Sequence, residues 1–161
     1  MLTRAGKFAA TVLEFDIIES KHKQCAMINF KIIGENVGGA WTNIESHNIV
    51  HLDYFYLEKN DGNINEITLK QIQRAFGGSL AEMYKWQETA IGQECQLVVE
   101  ANEYNGKTMY RVKYLNNINH KQETVSPEKA AGFMARHAAA LAALDAGVPV
   151  VAAAADGEIP F

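Results

Sequence analysis

ECQLVVEANEYNGKTMYRVKYL, residues 94–115, reads as two β-strands, Glu94–Asn102 and Thr108–Leu115, folded back on each other through Glu103-Tyr104-Asn105-Gly106-Lys107. The Asn-Gly pair supplies the positive φ angles that a tight hairpin turn requires. No other stretch of the chain gives so clear a local signal, and it predicts antiparallel β-structure. Along its second half, Lys107, Met109, Arg111 and Lys113 alternate with Thr108, Tyr110, Val112 and Tyr114. A period of two therefore predicts one basic face and one apolar, aromatic face.

Working upstream, Lys7–Ile18 (KFAATVLEFDII) is rich in β-branched and aromatic residues and predicts a first strand. The polar patch Glu19–Lys23 predicts a turn and Gln24–Ile33 a second strand pairing with the first. Gly34–Gly39 breaks the pattern, and Ala40–Val50 and His51–Leu57 are again strand-like, with Tyr54 and Tyr56 on the face opposite Phe55 and Leu57. The period changes at Thr68, where Leu69, Ile72, Phe76, Leu80 and Met83 form a helical stripe. Thr68-x-x-Gln71 and Ser79-x-x-Glu82 read as capping boxes, and Gly77-Gly78 separates two short helices. Downstream, Ser126-Pro127-Glu128 starts a helix carrying Phe133, His137, Leu141 and Leu144, which ends near Gly147. Val150–Phe161 is Ala-rich and expected to be mobile.

This order predicts a mainly β fold: a five-stranded OB-like Greek-key barrel with a helical insert between strands 3 and 4, plus a C-terminal helix and flexible tail. An α+β sandwich is the structural alternative. The expected organisation is a barrel domain over 1–125, a helix over 126–147 and a tail over 148–161.

A chain of 161 residues accommodates one core and an appendage, folding by itself or as a homo-oligomer. Its net charge of −4 excludes a protein that is basic all over, so any nucleic-acid contact must come from a local strip. Cys25 and Cys95 form no C-x-x-C pair and Met1-Leu2-Thr3-Arg4 opens no hydrophobic signal core, which predicts a reduced, cytoplasmic setting. No apolar run reaches the roughly 20 residues a membrane span needs.

Tyr104–Lys121 holds four cations and no carboxylate, so an acidic protein concentrates positive potential on one ribbon that phosphates can track. The alternative is an ordinary solvated strand face. Trp41, Tyr54, Tyr56, Trp86 and Tyr110 are candidate platforms for unpaired bases, each stack worth roughly 1–3 kcal/mol, or else core residues. Trp41 follows a Gly-rich loop among polar residues (GGAWTNIES), whereas Trp86 is expected to pack a helix. The candidate groove is Lys107, Arg111 and Lys113, with Lys31 and Arg74 adding charge and Trp41, Tyr54 or Tyr56 stacking. Asp156, Glu158, Ile159, Pro160 and Phe161 combine acids, a stiffening Pro and a terminal ring, suiting a pocket with an apolar hole and basic rim. No G-x-S-x-G, phosphate loop or G-x-G-x-x-G occurs, and no cofactor is expected. His47 and His51, four apart in a strand, would stand roughly 13 Å from each other, too far to share a metal. A nuclease using Asp53, Asp61 or Glu66 around a metal is a remaining reading.

Thr68, Ile72, Phe76 and Gly77, then Gly92, Glu94 and Cys95, then Tyr104–Lys107 together resemble the helix, strand and hairpin motifs of bacteriophage OB-fold single-stranded-DNA-binding proteins. The last six residues are similar to the acidic Ile-Pro-Phe terminus of bacterial single-stranded-DNA-binding proteins. The body does not match the bacterial proteins closely, and the tail departs from theirs in carrying two acids and an Ala-rich linker. The resemblance implies sequence-independent single-stranded DNA binding in phage replication and recombination, in the host cytoplasm. It further implies a non-catalytic protein whose tail recruits a polymerase, primase, helicase or recombinase. A phage structural or regulatory adaptor that binds protein rather than DNA is the alternative.

Overall fold

A computed structural model of the chain describes residues 1–121 and 125–147. The expected mobile tail, with Asp156, Glu158, Ile159, Pro160 and Phe161, lies outside the described residues. Two units are separately compact, the first Met1–His120 and the second beginning at Lys121.

The first unit is one antiparallel sheet of six strands: β1 Gly6–Ser20, β2 Lys23–Val37, β3 Ala40–Asn43, β4 Val50–Tyr56, β5 Glu94–Tyr104 and β6 Lys107–Asn117. β1 pairs with β2 from Lys7↔Asn36 to Ser20↔Lys23, and its other edge takes β5 from Gly6↔Val99 to Thr11↔Glu94. The far edge of β2 is shared end to end, by β3 opposite Gly34–Val37 and by β4 opposite Cys25–Lys31. β5 and β6 form the hairpin expected at residues 94–115, closing at Tyr104↔Lys107 with φ of 51° at Asn105 and 76° at Gly106.

The expected five-stranded closed barrel is corrected to six strands in an open sheet. Two causes are visible. Residues 40–57 do not make the single third strand that a five-strand count requires, because the Asn43 side chain accepts the Glu45 N–H at 2.9 Å and starts a 3₁₀ turn, Glu45–His47, which separates β3 from β4 and buries Ile44. The helical insert consequently lies between the fourth and fifth strands. At the seam, β4 and β6 share no backbone ladder; side chains satisfy the edge of β6 instead. The Asp53 carboxylate accepts the Val112 N–H at 2.7 Å and Gln71 Oε1 accepts that of Leu115 at 3.0 Å.

The insert comprises α1 (Glu66–Phe76), a 3₁₀ segment Leu80–Lys85, and α2 (Trp86–Thr89). Asn65, not Thr68, caps α1: its side chain accepts the Thr68 N–H at 3.4 Å, and Gln71 is thereby free to bond β6. Phe15 lies edge-on to Phe76 at 6.3 Å and against Trp86 at 6.1 Å, so the insert covers the sheet through aromatic contacts. Phe8, Phe15, Phe30, Ile28, Ile32, Leu97 and Leu115 are fully buried, each contributing roughly 1.5–3 kcal/mol by leaving water.

In the second unit the single helix expected from Ser126 is two, α3 (Pro127–Arg136) and α4 (Ala138–Asp145). Ser126 Oγ accepts the Lys129 N–H at 3.2 Å, the expected cap, and the break falls at His137, whose φ of −114° accompanies a ring contact with Phe133 at 4.8 Å. Among the described residues no helix is long and apolar enough to cross a membrane.

Candidate nucleic-acid interface

Alternation along β4 buries His51, Asp53 and Phe55 and turns Val50, Leu52, Tyr54 and Tyr56 to the outer face. Tyr54, 38% exposed, stands beside Met27 of β2, and Tyr56 lies two residues further toward the β1–β2 turn. That turn is tight, with positive φ at Lys21 and His22, and it brings Lys23 onto the Tyr56 ring at 4.5 Å from the centroid. The Lys23 ammonium is also held by Asn60 Oδ1 at 2.7 Å, so one face of Tyr56 carries a fixed cation. Lys21, His22 and Lys23 were absent from the residues expected to bind. Their signal was present in the sequence, three consecutive basic-capable residues at a hairpin tip, but a turn between strands accounts for them equally well.

The β5–β6 hairpin places the cations less simply than period-two alternation predicts. Val99 pairs with Val112 and Val98 with Tyr114, so Lys113 is an extra residue in a bulge. The bulge moves Tyr114 to the face of Arg111, while Tyr110 and Val112 pack on the core. The ribbon is also less positive than residues 104–121 alone suggest, because hairpin pairing sets carboxylates of β5 beside it. Glu100 is the register partner of Arg111, and its carboxylate lies 3.8 Å from the Lys113 ammonium. No carboxylate among the described residues lies within ion-pair distance of Lys107. Residues 101–109 are exposed on both faces, so the end of the hairpin projects as an arm.

Arg111 is tied to the β4 edge. Its Nε lies 3.8 Å from Asp53 Oδ1, while Asp53 Oδ2 takes the Val112 N–H, so one buried carboxylate joins Arg111 to the strand whose next residue is Tyr54. His51 Nε2 approaches the same carboxylate at 3.7 Å, and both its ring nitrogens lack a hydrogen-bond partner in a side chain only 1% exposed. Neither Asp53 nor His51 was expected to organise the site.

Other candidates are not brought to this cluster. Trp41 is exposed as expected, at 46%, but pairs with Asn36, nine residues along β2 from the Met27 partner of Tyr54. At about 3.3 Å per residue that is roughly 30 Å along the strand. Lys31 falls between them opposite Val50, and its ammonium is 3.5 Å from Glu45. Arg74 is in the last turn of α1, beside Asn117 and thus at the opposite end of the eleven-residue β6 from Lys107. Trp86 is core, as expected. His47 is exposed and His51 buried; Asp61 accepts the Asn63 N–H at 2.9 Å, and Glu66 pairs with Lys70 at 2.9 Å. These contacts hold the Asp61 and Glu66 carboxyls below their usual range. Among the described residues no three His, Cys, Asp or Glu side chains group to hold a metal.

Comparison with models of known protein families and with curated proteins finds no match to this chain.

Proposed function

We propose that the chain is a non-catalytic, sequence-independent single-stranded-DNA-binding protein of the phage replication and recombination type. The observation that carries this reading is the outer face of β4, where exposed Tyr54 and half-buried Tyr56 stand together with Lys23 over the Tyr56 ring, while Arg111 is held to the same strand through Asp53. Exposed aromatic rings with a cation beside them suit bases and phosphates of an unpaired strand, whereas a duplex hides its base faces. The projecting arm with Lys107 adds a further phosphate contact. An OB-like reading of the sheet is supported by its path. With β3 and β4 taken as the two halves of one interrupted strand, the order follows a five-stranded barrel whose last ladder is replaced by Asp53 and Gln71 side chains.

The proposal assigns Lys107, Arg111, Lys113 and Lys23 to phosphate and Tyr54 and Tyr56 to bases; Lys31, paired with Glu45, is left out of it. Residues 156–161 recruit a polymerase, primase, helicase or recombinase in this reading, and their deletion is expected to leave oligo-dT affinity unchanged. The test is a titration of fluorescent oligo-dT and a matched duplex at two salt concentrations, with the Lys107→Ala/Arg111→Ala protein as control. Tight, salt-weakened preference for the single strand that falls in the control supports the reading, and no binding at low salt overturns it. The adaptor alternative is favoured by the second unit, where Phe133 and Met134 of α3 are 46% and 55% exposed. Absence of oligo-dT binding would promote it.

A further inference from the structure

Trp41 stands apart from the tyrosines, and the charges around it have the wrong sign for a phosphate track. It forms one wall of a depression of about 610 Å³ on the outer face of the first unit, with Ala9 and Gly34 as floor. Gly34 has no side chain, and a Cβ there would lie 3.6 Å from Trp41 Cε3, so the indole rests against bare backbone. Ile33 and Ile118 add apolar surface, while Glu45 and Glu94 bring carboxylates to the same depression. Lys31 is the ion-pair partner of Glu45, and Glu94 has none among the described residues. A nucleic-acid strand laid here would bring phosphates toward two carboxylates, a repulsive arrangement.

We infer that this depression is a docking site for a short, extended, positively charged peptide segment of a partner protein, distinct from the proposed DNA-binding face. Its extent fits such an occupant. Its lining comes from β3, β2, β1 and β5, three strand spacings of about 4.8 Å, or roughly 14 Å. An extended chain covers that span with about four residues. An Arg or Lys side chain stacks on the half-exposed indole, where a cation gains from the ring quadrupole, and Glu94 supplies the countercharge. Apolar residues between the cations cover Ile33, Ile118 and the Gly34 backbone.

The test uses the full chain and three probes, a capped Arg-Leu-Arg-Leu peptide, a capped Glu-Leu-Glu-Leu peptide and oligo-dT, read by tryptophan emission. The part of the signal lost in Trp41→Phe is assigned to Trp41, since Trp86 is only 6% exposed. The arginine peptide is expected to change Trp41 emission while the glutamate peptide does not. Its affinity should fall at least tenfold in Glu94→Lys relative to Glu88→Lys, which makes the same charge change on α2. Glu45→Lys repeats the measurement should Glu94→Lys fail to fold. Equal weakening in Glu88→Lys and Glu94→Lys overturns the inference by showing attraction to net charge alone. No response to the arginine peptide also overturns it. So does a change in Trp41 emission on adding oligo-dT alone, which would make the depression a base site, or displacement of the peptide by raised protein concentration accompanied by dimer formation, which would make the occupant a second copy. Oligo-dT binding measured by anisotropy in the same samples reports separately on the proposed DNA function.

Discussion

Asp53 holds three polar groups at once in a side chain almost without solvent contact: the Val112 N–H, its neighbour's Tyr54 N–H at 2.8 Å, and the Arg111 guanidinium. Asp53→Ala leaves the Val112 N–H without an acceptor and is expected to destabilise the protein by about 1–3 kcal/mol in urea unfolding. Asp53→Asn retains a carbonyl acceptor and should lose clearly less; equal losses would show that the seam does not depend on this bond. Arg4 makes a two-pronged contact to Glu35, at 2.6 and 2.9 Å, whose hydrogen bond holds the Glu35 carboxyl below its usual range. A carboxyl lowered on folding adds stability above its unfolded pKa, and that stability is lost as the pH falls through the folded value. The pair is partly exposed, so Arg4→Ala is expected to cost less than about 1 kcal/mol at pH 7. The gap between the two proteins should close as the solution is acidified below about pH 4, as followed by thermal melts at stepped pH. Lys21 to Lys23 and Tyr54 were readable as residue types, but their convergence was not, because nothing in a linear sequence tells how two hairpins face each other.

Gly77 and Gly78 end α1 with φ of 75° and 91°, and they differ in what surrounds them. A Cβ at Gly77 meets open space, whereas one at Gly78 would lie 3.0 Å from Trp86 Cζ2. Gly78→Ala is therefore expected to destabilise the fold more than Gly77→Ala, by about 1–3 kcal/mol against roughly 1 kcal/mol for the backbone alone, in the same urea measurement. The β5–β6 hairpin splits at its middle. Toward Cys95 and Leu97 it is core, and over residues 101–109 it is exposed on both faces. Hydrogen exchange should accordingly be fast in residues 101–109 and slow at Leu97 and Leu115; uniform protection along the hairpin would mean that the arm is packed. For the proposed DNA contact, each single-strand phosphate lost lowers the salt slope of binding by about 0.7. The Lys107→Ala/Arg111→Ala protein should thus show a slope smaller by about 1.4, and an unchanged slope would remove these cations from the groove.

At the scale of the whole molecule, Cys25 and Cys95 are buried in the first unit, and burial, with Glu94 adding to it, pushes the Cys95 thiol up to about 12. Burial raises Cys25 as well. Neither thiol is expected to react with a disulfide reagent until the unit unfolds, so the rate of labelling in increasing urea should follow the unfolding curve. Rapid labelling in native buffer would show that the sheet opens locally. The sequence by itself determined the local elements: the Asn105-Gly106 hairpin, the outward faces of Tyr54 and Tyr56, and the Ser126 cap. Each rests on turn chemistry or periodicity within a few residues. It did not determine the strand count, the seam or the grouping of the site. The bulge at Lys113 displaces a strand by one residue, which in a period-two structure moves side chains to the other face; the cap at Asn65 rather than Thr68 frees Gln71 for β6, and the turn after Asn43 splits a strand in two. Only the tertiary structure decided that Asp53 joins β4 to β6 and that Trp41 and Glu94 line one depression. These outcomes come from pairings between residues tens of positions apart, set by how the sheet curls to bury its aromatic core.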